Sequence, residues 1–202
     1  MESSFRPSLE EVNYFVLSAV VLGAAFTAYT GELTLRNGAV YSSLATVPLL
    51  LRELGQRIVA QWMSAYTELE MSLSGSVTTI VGAMFAVLTG LPILFTFPVE
   101  SEFSGKKYEH WGKTIDALWM KRQYWLVSGG LVALFAGWIA TFALGFTQVA
   151  EVIILFTFFQ LMPFDYHRIP TGELDGAYIL RWDGFVWLTM MGLAVLGIGL
   201  TV

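Results

Sequence analysis

Five side chains in this chain could do chemistry where apolar residues surround them. Arg52, Glu53, Gln56 and Arg57 lie in "LLLRELGQRIVAQ", residues 49–61, and Asp175 lies in "GELDGAYILRW", residues 172–182. An ionisable group at membrane depth costs a few kcal/mol and faces a partner or a wet cavity, so these residues are the first site candidates. Residues 52 and 56 share a helix face, and Arg57 falls close to the face of Glu53. Read by spacing alone, Glu53 and Arg57 form an i,i+4 pair at a helix end, with Arg57 snorkelling towards the interface and Arg52 reaching a headgroup or carbonyl. Asp175 follows Leu174 and precedes a short run, 177–180, in a stretch broken by Pro163, Pro170, Gly172 and Gly176. Taken alone, its Asp-Gly pair marks an ordinary turn.

The elements that hold these residues are apolar. Of 202 residues, 55% are hydrophobic, 15% aromatic and 13% charged, against about 25% charged in a soluble domain. The mean hydropathy is +0.63. The chain therefore reads as an all-α polytopic membrane protein forming one integral membrane domain over residues 1–202. Spans are expected at about 12–30, 42–63, 124–144, 148–162 and 185–202, giving five to six membrane helices. The apolar segment 77–98 carries Gly90, Pro92 and Pro98 in its later half, which predicts a re-entrant rather than a straight crossing segment. The net charge of −5, with no basic stripe, excludes a nucleic-acid partner. The absence of cysteine excludes disulfides and thiolate metal sites. No small-residue cleavage site stands out after "MESSFRPSLEEV", so the first span is expected to be retained.

Orientation follows from the basic residues, which favour cytoplasmic flanks. If every run crosses, both termini lie outside. If 77–98 dips in and returns, the amino terminus and segments 64–76, 100–123 and 163–184 share the inside, leaving only Arg36 outside. The second arrangement sorts the charges slightly better. Segment 100–123, with Trp111, Ile115, Leu118 and Trp119 at helical spacing, is expected to be a cytoplasmic amphipathic segment. The tryptophans near span ends suit interfacial positions, and the small residues of "VSGGLVALFAGWIA" suit close helix packing.

Taken together, the two polar stretches resemble the motifs of the site-2 protease family of intramembrane zinc metalloproteases. That family carries HExxH on one membrane helix, then Asn-x-x-Pro and Leu-Asp-Gly on later ones. Here "RELGQRIVAQ" is similar to the first motif with Arg52 and Gln56 in the histidine positions and Glu53 in the general-base position. "FQLMPF" and "ELDGAYILRW" resemble the second, with Gln160 for asparagine, Pro163 kept, and Leu174, Asp175 and Gly176 intact after a longer insert. The likeness runs from about residue 42 to 187 and includes a re-entrant segment after the first motif.

What the resemblance implies is a degenerate member without its metal. A catalytic zinc needs three protein ligands and an open position for water. Only Asp175 of the family's ligands is kept, and a guanidinium cannot lose its proton to become one. No metal and no zinc cofactor are expected, and no catalytic residue is intact beyond the vestigial Glu53. The chain's two histidines, His110 and His167, read as loop or interfacial residues. Without a dication, Glu53 and Asp175 would leave two carboxylates in low dielectric, and Arg52 restores positive charge near both. The expectation is a buried Arg52–Asp175 pair standing in for zinc.

The resulting functional expectation is a pseudoprotease: a membrane protein, its vestigial site towards the cytoplasmic side, that binds or assembles with another membrane protein or a transmembrane client segment in the bilayer. Proteases of this family hold a substrate as an extended strand beside the re-entrant segment. The alternatives are an active metalloprotease with altered ligands, Asp175, His167 and Glu53, and a small transporter or channel subunit whose polar path is lined by Arg52, Glu53 and Asp175.

Overall fold

The computed structural model describes residues 7–63, 65–91, 94–105, 114–164 and 174–201. Helix α1, Leu9–Thr30, starts at a capping box: Ser8 Oγ accepts the Glu11 N–H, and Glu11 Oε2 accepts the Ser8 N–H. These bonds satisfy two donors that a helix start otherwise leaves open. The helix stops at Gly31, whose φ of 73° suits glycine and few other residues. Helix α2, Leu35–Met63, is 29 residues long and keeps Pro48 inside it. Strand β1, Ala65–Met71, follows, then α3, Leu73–Thr89.

Strand β2, Val99–Gly105, returns to β1 and pairs with it antiparallel, with Leu69 opposite Ser101 and Met71 opposite Val99. The chain continues through α4, Thr114–Ala143, α5, Thr147–Gln160, α6, Asp175–Trp182, and α7, Gly184–Thr201.

Among the described residues, three helices are long and apolar enough to cross a membrane: α1, residues Lys121–Ala143 of α4, and α7. Helix α2 is longer, about 43 Å at 1.5 Å per residue, and carries the charges of the first motif. Helices α3 and α5 are shorter apolar helices. The core gathers Leu22 of α1, Leu49 of α2, Leu131 of α4, Ile153 of α5 and Ala194 of α7, all buried.

The predominantly helical expectation matches this architecture, and the two-stranded sheet is an addition to it. "AYTELEM" alternates, with Thr67 and Leu69 buried and Glu68 exposed, which is the pattern of a strand covered on one face. The run expected at 42–63 begins earlier, at Leu35, and the run expected at 148–162 is helical only to Gln160, ahead of Pro163. The apolar segment 77–98 is helical to Thr89, turns at Gly90 with φ 69°, and has no regular secondary structure over 94–98. There Pro98 O accepts the Ser72 N–H at 3.0 Å, and Thr79 Oγ1 accepts the Phe97 N–H at 3.0 Å. The segment thus leaves from one strand and comes back to its neighbour. The expected amphipathic segment 100–123 divides between β2 and the start of α4, which runs on without a break into the apolar span; residues 106–113 lie outside the described residues.

Candidate functional site: two buried ion-pair networks on one helix

Arg52 and Asp175 meet in the protein interior. Arg52 Nε donates to Asp175 Oδ2 at 2.7 Å and Nη2 to Oδ1 at 2.5 Å, and each side chain is only 1% exposed. This is the parallel two-bond fork in which guanidinium and carboxylate geometries match. Asp175 is the first residue of α6, where a carboxylate is favoured by the helix dipole. Arg52 Nη1 has no hydrogen-bond partner among the described residues.

The backbone around this pair is shaped to let it close. A Cβ built on Gly130 of α4 would sit 2.9 Å from Gln56 Cγ and 3.1 Å from the Arg52 carbonyl oxygen. Any side chain there would push α4 off the face of α2 that carries Arg52 and Gln56. Gly176 does the same for α6: its Cβ would meet the Met162 carbonyl oxygen at 2.8 Å and press harder on the Leu161 carbonyl. The glycine of the Leu-Asp-Gly motif is needed because α6 lies directly on the end of α5. The Leu161 carbonyl also accepts the Trp187 indole N–H of α7, so α5, α6 and α7 converge where Asp175 begins its helix.

The second-motif residues surround that junction. Gln160, the last residue of α5, is fully buried and its Nε2 donates to the Thr96 carbonyl at 3.3 Å, tying α5 to the irregular segment that leads into β2. Its Oε1 has no partner among the described residues. Leu174 is buried, Pro163 half-buried, and the Leu174 N–H donates to the Phe164 carbonyl at 3.2 Å.

Glu53 belongs to a separate network. Arg57 Nε donates to Glu53 Oε1 at 2.6 Å, and Arg57 Nη2 donates to Glu11 Oε1 at 2.5 Å. Glu11 Oε1 also accepts the Leu69 N–H of β1 at 3.2 Å. One cation therefore joins α1 and α2, while the shared carboxylate reaches β1. Arg52 bonds Asp175, and Glu53 bonds Arg57 in the i,i+4 pair read from their spacing. The snorkelling expected of Arg57 is corrected, since it is 6% exposed and held by Glu11. An amphipathic residue snorkels when water is its best partner, and here two carboxylates are closer.

Glu11 is the site residue that sequence reasoning does not single out. Its visible signal is the Ser8-x-x-Glu11 capping box, which accounts for one carboxylate oxygen and hides the work of the other. Beside this network lies a cavity of about 290 Å³ between α1, α2 and β1, walled by Val12, Phe15, Leu50, Leu54 and Leu69.

The residues present do not fit a catalytic zinc. Both oxygens of Asp175 are taken by the Arg52 guanidinium, which cannot ligate a metal. Among the described residues no group of three or more His, Asp or Glu could hold a metal ion, and His110 and His167 lie outside them. Compared with known protein families, curated proteins and solved structures, the chain matches none.

Proposed function

We propose that this chain is a catalytically inactive, site-2-protease-like membrane protein that binds a transmembrane segment of another membrane protein without cutting it. The observation that carries the reading is the Arg52–Asp175 fork. The residue at the first histidine position of the degraded motif bonds the aspartate of the kept motif, 123 positions away. Two motifs that would share a metal instead share a charge-assisted pair, and the pair performs the mechanical part of a metal's work by holding α2 against α6. Supporting it further, the segment after the first motif starts and finishes on adjacent antiparallel strands, the form a re-entrant segment takes. The paired strands offer backbone edges on which an extended client segment can dock. The vestigial site then faces the cytoplasm, on the side rich in Lys and Arg.

The test is to rebuild the metal site. Arg52→His with Gln56→His places two imidazoles four residues apart beside Asp175, three ligands in all. The purified double variant is expected to hold about one zinc per chain and to lose it when Asp175→Ala is added, whereas the natural sequence holds none. A natural sequence that carries zinc would overturn the pseudoprotease reading. A folded double variant that takes up no zinc would overturn the likeness to the protease scaffold.

A further inference from the structure

Glu53 keeps one oxygen unused. Its Oε1 accepts Arg57 Nε at 2.6 Å, whereas Oε2 is buried and has no hydrogen-bond partner among the described residues. The residue is about nine-tenths buried. A carboxylate oxygen taken out of water without a donor forfeits its hydration and gains nothing in return, so such an atom calls for an explanation. The surroundings supply one. Glu53 stands on the wall of the cavity of about 290 Å³ between α1, α2 and β1, which Val12, Phe15, Leu50, Leu54 and Leu69 line with hydrocarbon. Val12, Leu50 and Leu54 are each nearly half exposed, so the cavity opens outwards between α1 and α2 through apolar side chains. Helix α1 is one of those long and apolar enough to cross a membrane, and this mouth is therefore reached from the bilayer.

We propose that this cavity is a lipid site. It takes a single alkyl chain headed by an uncharged hydroxyl, which donates its hydrogen bond to Glu53 Oε2 while the chain lies along the apolar wall and leaves through the mouth into the bilayer. Size selects one chain. A volume of about 290 Å³ lies at the bottom of the range of small-molecule pockets, and a helix with its side chains, about 10 Å across, has no room there. The free oxygen selects the head. Oε2 needs a donated proton, which an ether, an ester or a second carboxylate cannot offer. An ammonium has protons to donate, but taking a full charge out of water into hydrocarbon walls costs more than taking a hydroxyl. Such a site stands whether or not the chain grips a client segment, because neither the strand edges nor the bonds of Arg57 take part.

The probe is dodecanol carrying a photoreactive diazirine in mid-chain, added to the full chain in vesicles of phosphatidylcholine, whose head group has no hydrogen-bond donor. Cross-linked residues are mapped by mass spectrometry, and unlabelled dodecanol, its methyl ether and dodecylammonium compete for them. Saturable labelling confined to residues 12–15 and 50–54 is expected. Dodecanol should displace the probe about tenfold better than the ether does, the worth of one hydrogen bond to a charged group. Leu54→Trp fills the mouth and should cut labelling several-fold, while Leu193→Trp, at an exposed apolar position of α7, should not. In Glu53→Gln the amide keeps its oxygen for Arg57 and turns its NH2 to the cavity, where alcohol and ether both accept, so the preference should vanish. Equal displacement by alcohol and ether in the natural sequence, or stronger displacement by the ammonium, would overturn the assigned head. Labelling spread evenly over exposed apolar positions such as Val195 and Leu196 would overturn the site. So would labelling that fades as the protein-to-lipid ratio rises, which would put a second copy of the chain over the mouth.

Discussion

Arg52 on α2 and Asp175 at the head of α6 form a bidentate pair with both side chains 1% exposed, a direct buried charge link between those two helices. Taking both charges out of water is expensive, and the attraction repays the cost only because the fork satisfies both carboxylate oxygens. The pair is therefore better understood as an interlock than as a surplus of stability. It specifies which helix end packs on which face.

Breaking the pair from one side should be costly. Arg52→Ala leaves the Asp175 carboxylate buried and unpaired, and a loss of about 3–5 kcal/mol is expected. Arg52→Lys keeps the charge but not the planar fork and should fall between alanine and the natural residue. Replacing both partners with apolar residues, Arg52→Met with Asp175→Leu, should be tolerated much better than either single truncation. Denaturant titration of the detergent-solubilised variants decides it. A double variant as damaged as Arg52→Ala would mean that the pair is not what holds these helices.

Gly176 offers a steric prediction independent of charge. Adding a methyl group there drives it into the carbonyls of Leu161 and Met162, and backbone cannot step aside as a flexible side chain can. Gly176→Ala should cost about 1–3 kcal/mol, as overpacking does. Gly192 on α7 has no heavy atom within 4 Å of a built Cβ, so Gly192→Ala serves as the control and should leave the melting temperature almost unchanged or slightly raised.

The meeting of Arg52 with Asp175 is legible in the sequence through the resemblance of the two polar stretches to the protease motifs, which implies an aspartate left without its metal; spacing alone sends Arg52 to a headgroup or carbonyl and puts Asp175 in an ordinary turn. Other features could not be read in this way. Glu11 already has a local explanation in its capping box, and its reach to Arg57 and Leu69 appears only when α1, α2 and β1 pack together. The strands are short, and neighbouring apolar runs outweigh their alternating pattern, so a period of two is hard to see over seven residues. The early start of α2 at Leu35 adds polar turns that no search for apolar runs would include. Arg57 looked interfacial because nothing in its own helix supplies a second carboxylate.

The strand pairing also fixes what a topology experiment should find. Strands hydrogen-bonded along their whole length, from Ala65 opposite Gly105 to Met71 opposite Val99, cannot lie on opposite sides of a bilayer. The apolar segment between them must therefore begin and end on one side, and its helix α3, Leu73–Thr89, is one of the shorter apolar helices. Single cysteines can be placed at exposed Glu68, just before that segment, at exposed Lys121, after it, and at exposed Thr34 between α1 and α2. An impermeant thiol reagent applied to sealed vesicles should label Glu68→Cys and Lys121→Cys from the same face and Thr34→Cys from the other. Labelling of Glu68→Cys and Lys121→Cys from opposite faces would mean that 73–98 crosses, and it would remove the re-entrant segment on which the proposed client docking depends.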